Sequence, residues 1–371
     1  MEYGKNAVIF MTRKIRCAVV GVGNCFAGLV QGIEYYKQHP EEEVIGIMHK
    51  EIGGYSIYDI EFVAGFDVDS KKVGMRLSDA VYAEPNKVRW VDKLSTMNNV
   101  IVIQSPRMDG VGIYVQKVVS PVPDKSVDEL RKEILDELKK KQVEILVSYL
   151  PVGADRVTQF WAQICLDAKI AMVNCMPSFI GSDPAWAEKF KKANIPIVSD
   201  DIKGQVGATI VHRTLAKLCD DRGTKIEKTY QINVGGNTDF LGMKEQERLT
   251  SKKISKTESV QSQLRQRLPD ERIYVGPSDF IPFLGNTKLM FMRIEGRMWA
   301  GIPYNMEVRL EVDDKANSAG IVIDAIRACK LGLDRKIGGP LIEASAYLMK
   351  HPPEQMSDDD ARKAFEKFIK G

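Results

Sequence analysis

Short apolar, β-branched runs alternate with helical stretches through the first two hundred residues of this chain. The runs are IRCAVV (15–20), EFVAGFDVD (61–69), NVIVIQS (99–105), VEILVSYL (143–150), IAMVNCM (170–176) and IPIVSDD (195–201). Helical patterning fills the spaces between them, to about Tyr36 and over 126–141, 154–168 and 184–194. A strand with little polar alternation is buried on both faces, and strands that alternate with helices are joined in parallel. The predicted core is therefore a parallel sheet with helices on either side. At 371 residues the chain has room for this and for a second unit.

The rhythm changes after about residue 228. KTYQINVGG, IYVGPSDF, KLMFMRIEGRMW and MEVRLEVDD alternate with period two and have little helix between them. That pattern suits a more antiparallel sheet. The apolar helical run ANSAGIVIDAIRACKLG (316–332) then returns to the first style. The predicted fold is α/β: a Rossmann-like doubly wound parallel sheet from 1–240 and 308–371, interrupted by an inserted α+β domain over 241–307.

The loop GVGNCFAG (21–28) sits between the first strand and the first helix. In a Rossmann unit this turn holds a pyrophosphate on backbone N–H groups and the positive end of the helix. Gly21 and Gly23 fill the first two glycine positions, with Asn24 and Cys25 beside them; Phe26 stands at the third, and Gly28 follows. The acid normally found about 20 residues on is displaced to Asp67, because residues 40–60 are inserted. Ser148, Asn174, Asp200 and Asp201 also stand at strand ends, where open α/β sheets bind ligands; helix capping is the plainer role for one of the two acids.

NVGGNTDFLGMKEQERLTSKKISK (233–256) sets a Gly-Gly-Asn turn ahead of Lys252 and Lys256, spaced i,i+4. Residues so spaced share one helical face, and two ammonium groups there repel unless an anion lies between them. A phosphorylated substrate is such an anion; a solvated basic face is the simpler alternative. Other chemistries lack a signature. The formal net charge is only +3, with no basic stripe, so nucleic acid is not an expected partner. The histidines are scattered, and the six cysteines form no Cys-x-x-Cys pair, so no zinc site is visible. Free cysteines in apolar runs favour a reducing, cytoplasmic setting. No run of about 18 apolar residues is present, so no membrane span is expected. Met11 offers an alternative start, which would make residues 1–10 an upstream extension.

Taken together, VGVGNCFAGLVQGIEYY, FVAGFDVDSKKVG, LVSYLPVG, DDIKGQVGATIVHR, NVGGNTDF, SKKISKT, VGPSDF, NSAGIVIDAIR and SAYLMKHPPEQ resemble the inositol-3-phosphate synthases (also called inositol-1-phosphate synthases) in their compact bacterial and archaeal form, from about Ile15 to the C-terminus. The resemblance implies tightly held NAD and conversion of D-glucose 6-phosphate to an inositol monophosphate. The implied steps are oxidation at carbon 5, enolisation at carbon 6, attack on the carbon 1 aldehyde, and reduction. It also implies that Lys252, Lys256, Lys288 and Lys350 form the catalytic set, with Lys256 and Lys350 on oxyanions and hydroxyl protons and Lys252 and Lys288 on substrate oxygens and phosphate. Asp201 and Asp314 would orient lysines or relay protons, and Asn237 and Asp239 would lie near the nicotinamide. A divalent or monovalent cation and assembly as a homotetramer are further implications. Two other readings share the glycine loop: an NAD-dependent sugar-phosphate dehydrogenase, and a non-catalytic NAD and sugar-phosphate binder. A four-lysine set exceeds what either needs.

Overall fold

The computed structural model describes residues 14–371, apart from the side chains of Pro277 and Ser278; the alternative start at Met11 lies outside the described residues. The first half runs β1 (Ile15–Val20), α1 (Asn24–Gln38), β2 (Ile60–Asp67), α2 (Leu77–Ala80), β3 (Val102–Gln104), α3 (Val127–Lys140), β4 (Ile145–Ser148), α4 (Asp155–Ala168), β5 (Ala171–Asn174), α5 (Pro184–Lys192), β6 (Pro196–Val198) and α6 (Ala208–Asp221). The rest is β7 (Lys225–Gly235), α7 (Thr238–Gly242), α8 (Thr250–Gln261), β8 (Ile273–Phe280), β9 (Thr287–Arg297), β10 (Pro303–Asp313), α9 (Ala316–Asp334), β11 (Gly339–Pro340), α10 (Ile342–Leu348) and α11 (Asp358–Lys370).

Seven strands form the first sheet in the order β11-β6-β5-β4-β1-β2-β3, all parallel. Cys17 to Val20 and Ile145 to Val147 are fully buried, as strands covered on both faces must be. α9 packs on β4, β5, β6 and α1 and is buried from Ala319 to Gly332, which explains its apolar run. α3 shows the opposite, surface pattern. Leu130, Ile134 and Leu138 alone are buried, Ser126 caps its start by accepting from Glu129 N (3.2 Å), and Lys139 and Lys140 close its last turn. Successive strands are laid outward from β1 in both directions. The crevice between the C-terminal ends of β1 and β4 is thus the topological switch point, where open α/β sheets bind ligands.

The second sheet has the order β10-β9-β7-β8, with β7–β8 parallel and the other pairs antiparallel. It extends past 241–307 at both ends, because β7 pairs with β9 from Lys225 to Gly235 and β10 pairs with β9 as far as Asp313. Ile226, Val275, Met290, Met292 and Ile294 face a second apolar core shared with Ala208 and Ala216 of α6 and Val260 of α8. The sheet therefore holds α6 and α8 in place over the switch point. Among the described residues, no helix is long and apolar enough to cross a membrane.

Candidate active site

Two cavities meet above the switch point. Gly21, Gly23, Asp67, Tyr149, Arg248 and Asp239 are among the residues lining the first. The turn after β1 requires glycine at position 21: φ is +91°, and a Cβ there would come within 2.5 Å of the Tyr149 carbonyl oxygen. At Gly23 a Cβ would meet nothing within 4 Å, so the loop faces open space. Gly23 begins α1 with no side-chain cap and no acid in the first turn, so the leading N–H groups are left for an anion. Phe26, at the third glycine position, is fully buried and packs edge-on against Phe62 (4.8 Å).

Asp67 ends β2 at the cavity wall. Its Oδ2 accepts from Val22 N (2.8 Å) and its Oδ1 from Val68 N (2.7 Å) and Asp69 N (3.0 Å), with the Lys72 ammonium 3.9 Å away. An open glycine turn, an uncapped helix and a carboxylate at the next strand end fit a dinucleotide.

The second cavity gathers all six residues expected to be catalytic: Lys252, Lys256, Lys288, Lys350, Asp201 and Asp314. Lys252 and Lys256 lie on the inner face of α8 with Ser255, while Lys253 and Ile254 face outward. Lys288 starts β9 opposite Gly235, and Lys350 follows the end of α10. The Lys350 ammonium donates to Asp201 Oδ1 (2.7 Å) and the Ile202 carbonyl (2.5 Å), and Ser255 Oγ donates to Asp201 Oδ2 (2.6 Å). Lys288 Nζ lies 3.2 Å from Asp314 Oδ1, and Asn237 Nδ2 donates to Asp314 Oδ2 (3.1 Å). The Gly235-Gly236 pair allows this turn, since a Cβ on Gly236 would come within 2.4 Å of Gly285 N.

Lys252 and Lys256 have no hydrogen-bond or ion-pair partner among the described residues. Burial lowers the proton affinity of both, and the neighbouring lysines push Lys256 well below the usual lysine range. For Lys252, Asp201 and Asp239 oppose the shift without cancelling it. Asp201 and Asp314 behave the other way: burial raises them, but Lys350 and Lys252 around the first and Lys288 and Lys315 around the second outweigh it and keep both ionised.

The sequence did not point to three features here. α6 begins on Gly207 with no side-chain cap and no acid in its first turn, and Gly207 to Ile210 line this cavity. Lys203 also lines it and donates to the Ala346 carbonyl (2.8 Å), and burial with the nearby Arg213 lowers its ammonium to about 7. Lys315 is almost fully buried between Asp239 and Asp314. The periodic run TIVHRTLAKLC (209–219) would have disclosed α6; nothing in the sequence singles out the other two.

The expected cofactor residues separate. Gly21, Gly23, Asp67 and Asp239 line the first cavity, and Asp239 borders both. Cys25 opens on the second, its thiol pushed up to about 11 by burial. Asn24 is engaged by Lys87 N (2.6 Å) and Thr238 Oγ1 (3.3 Å), and Asn237 caps α7. Ser148 Oγ is buried at the end of β4 with no hydrogen-bond partner among the described residues. Asn174 and Asp200 line neither cavity. Asn174 Nδ2 donates to Asp200 Oδ1 (2.8 Å), and Ile180 N and Ser182 N donate to Asp200 Oδ2, so the pair holds the 178–182 loop.

The family model for myo-inositol-1-phosphate synthase matches residues 207–315, the stretch that carries α6, β7, α8, Lys288 and Asp314. The inositol-3-phosphate synthase of Mycobacterium tuberculosis is 51% identical over 360 residues, 96% of each chain. That of Mycolicibacterium smegmatis is 49% identical over 96% of this chain and 98% of the relative. This chain belongs to the inositol-3-phosphate synthase family. The crystal structure of a myo-inositol-1-phosphate synthase-related protein from Thermotoga maritima, 22% identical, superimposes with a TM-score of 0.80 over 96% of this chain and 98% of that one, which speaks to the fold.

Proposed function

We propose that the protein converts D-glucose 6-phosphate to 1D-myo-inositol 3-phosphate with NAD as a recycled cofactor. The observation that carries this reading is the pair of side chains Lys252, half-buried, and Lys256, buried, with no hydrogen-bond or ion-pair partner among the described residues, in a cavity that shares the lining residue Asp239 with the dinucleotide cavity. Buried cations without anions are costly, and a phosphorylated sugar would satisfy them.

Gly21, Gly23 and Asp67 would hold NAD, whose chemistry when bound is reversible hydride transfer with carbon 5 of the sugar. The phosphate fits the uncapped start of α6 at Gly207 to Ile210, where backbone N–H groups and the helix dipole favour an anion. The lowered proton affinity of Lys256 makes its neutral amine accessible, and in that form it would take the carbon 5 hydroxyl proton and later give it back. The carbon 6 proton would pass to a neutral amine of the lysine cluster, and the negative charge left on the adjacent oxygen would be held by the cluster's remaining ammonium groups, Lys350 among them. The carbon 1 oxygen becomes an alkoxide when the ring closes, and takes a proton from the same cluster. Preorganised charge of this kind stabilises a transition state far better than solvent does. Asp201 keeps Lys350 fixed, and Asp314 does the same for Lys288.

The same reading proposes a division between a nucleotide-binding body and an inserted catalytic and assembly unit, a homotetramer, and a cytoplasmic setting. The deciding experiment incubates the protein with glucose 6-phosphate and catalytic NAD and identifies products by NMR while following NADH absorbance. Inositol monophosphate with a flat NADH trace is expected. Stoichiometric NADH would make the protein a simple dehydrogenase, and unchanged sugar a binder only.

A further inference from the structure

The cation that the family resemblance implies finds no mobile-ion site in this donor set. Among the described residues, no three Cys, His, Asp or Glu side chains are grouped to hold a metal. The best anionic point in the sugar cavity is where Asp239 and Asp314 converge, and a side chain of the chain itself stands there. Lys315 Nζ donates to Asp239 Oδ2, lies 3.1 Å from Asp314 Oδ2, and is 3.4 Å from Cys25 Sγ. Those contacts use the three N–H bonds of an ammonium. The side chain is only 2% exposed.

The position is built, not incidental. Asp313 Oδ1 accepts from Lys315 N and Ala316 N, both at 2.9 Å, fixing the backbone at the head of α9. Gly28 leaves room for the stem: a Cβ there would lie 3.2 Å from Lys315 Cβ. Because Asp239 borders both cavities, the ammonium sits where dinucleotide and sugar meet. The formal charges of Asp239 and Asp314 are already balanced by Lys315 and Lys288. An added divalent ion would have to displace Lys315 or stand among ammonium groups, with far fewer oxygen ligands than a hard ion takes.

We propose that Lys315 is the resident cation of this site: a tethered ammonium that supplies the positive charge a metal or monovalent ion would otherwise bring to the Asp239–Asp314 pair. This rests on the synthase reading for its effect on rate, but not for its effect on ion binding. Lys315 acts as a positioning residue, holding the two carboxylates and through Asp314 the Lys288 ammonium.

The test has two arms. In the first, Mn²⁺ binding is measured by electron paramagnetic resonance without substrate. Wild type should bind none at this site, Lys315→Ser should gain one ion per chain, and adding Asp314→Asn should abolish that gain. In the second, turnover is followed in chelator-treated sodium buffer. The wild-type rate should be unchanged by chelation or by added ammonium, potassium, magnesium or zinc. Lys315→Ser should lose roughly tenfold or more and recover with added ammonium or a divalent ion. Lys315→Met, which fills the space without charge, should lose as much and not recover. Wild type that needs an added cation, or that binds Mn²⁺ lost on Asp314→Asn, overturns the proposal. So does a Lys315→Ser variant that neither binds Mn²⁺ nor responds to ammonium. Absence of inositol phosphate from wild type would defeat the synthase reading and leave the Mn²⁺ arm to decide this one.

Discussion

Lys256 shows at the scale of one residue why such a site is held at a cost in stability. It is 6% exposed, has no anionic partner among the described residues, and faces Lys252, Lys288 and Lys350. Lys256→Met keeps the stem volume and removes the charge. Turnover should fall by about 10²–10³, while the melting temperature should rise, because an uncompensated buried charge is removed. The sign of the pH dependence follows from linkage. Folded Lys256 binds its proton less tightly than in the unfolded chain, so unfolding takes up a proton. The variant's advantage is therefore fully present below the depressed folded value and shrinks as pH rises toward the ordinary lysine range. Calorimetry across that range checks it; a variant less stable than wild type at neutral pH would show that Lys256 is not held against repulsion.

Elements explain how so much was legible beforehand, and where legibility stopped. Strands β1 to β6 could be read because burial on both faces leaves continuous apolar runs. The shared face of Lys252 and Lys256 on α8 was legible from their helical spacing, while the catalytic role proposed for them came from the family resemblance. Asn174 and Asp200 were read as ligand positions because they end strands, yet their hydrogen bonds go to the 178–182 loop; sequence does not reveal toward which neighbour such a side chain turns. Lys203 and Lys315 gain their meaning only when α10 and the β10–α9 turn fold onto the sugar cavity. Asp67 was legible as a strand-end acid, but its grip on Val22 N was not. Since Asp67 shapes the glycine turn as well as facing the cavity, Asp67→Ala should weaken NAD and NADP together. The diagnostic quantity is their ratio: wild type should favour NAD, because a carboxylate accepts from the ribose 2′-hydroxyl and repels a 2′-phosphate, and the variant should lose that preference. Equal affinities for wild type in paired titrations would assign Asp67 to the loop alone.

For the molecule as a whole, the second sheet poses a packing question. One face is covered by α6 and α8. On the other, Tyr230, Tyr274 and Phe291 stand exposed, and the β9–β10 turn projects Trp299 at 93% exposure with Ile302 beside it. The ion pairs Arg293–Glu307 and Arg309–Glu311 border this aromatic band. An aromatic band with a charged rim, lying on a sheet, is the composition of an interface core rather than of ordinary surface. A second copy of the chain is its natural cover, since most soluble oligomers are symmetric and use the same patch on both subunits. This patch alone would close a dimer; the proposed homotetramer needs a second twofold contact in addition to it. It also bears on catalysis, because β9 presents Lys288 at its start and β7 leads into the Gly235–Asp239 turn; covering the outer face would stiffen both strands. Wild type should sediment as a tetramer at micromolar concentration. Tyr230→Glu combined with Phe291→Glu should split the assembly and lower turnover roughly tenfold or more through loosened positioning of Lys288, with the cooperative unfolding of the parallel-sheet body retained. A wild-type chain that sediments as a fully active monomer would defeat the tetramer and leave the aromatic band without a partner in this reading.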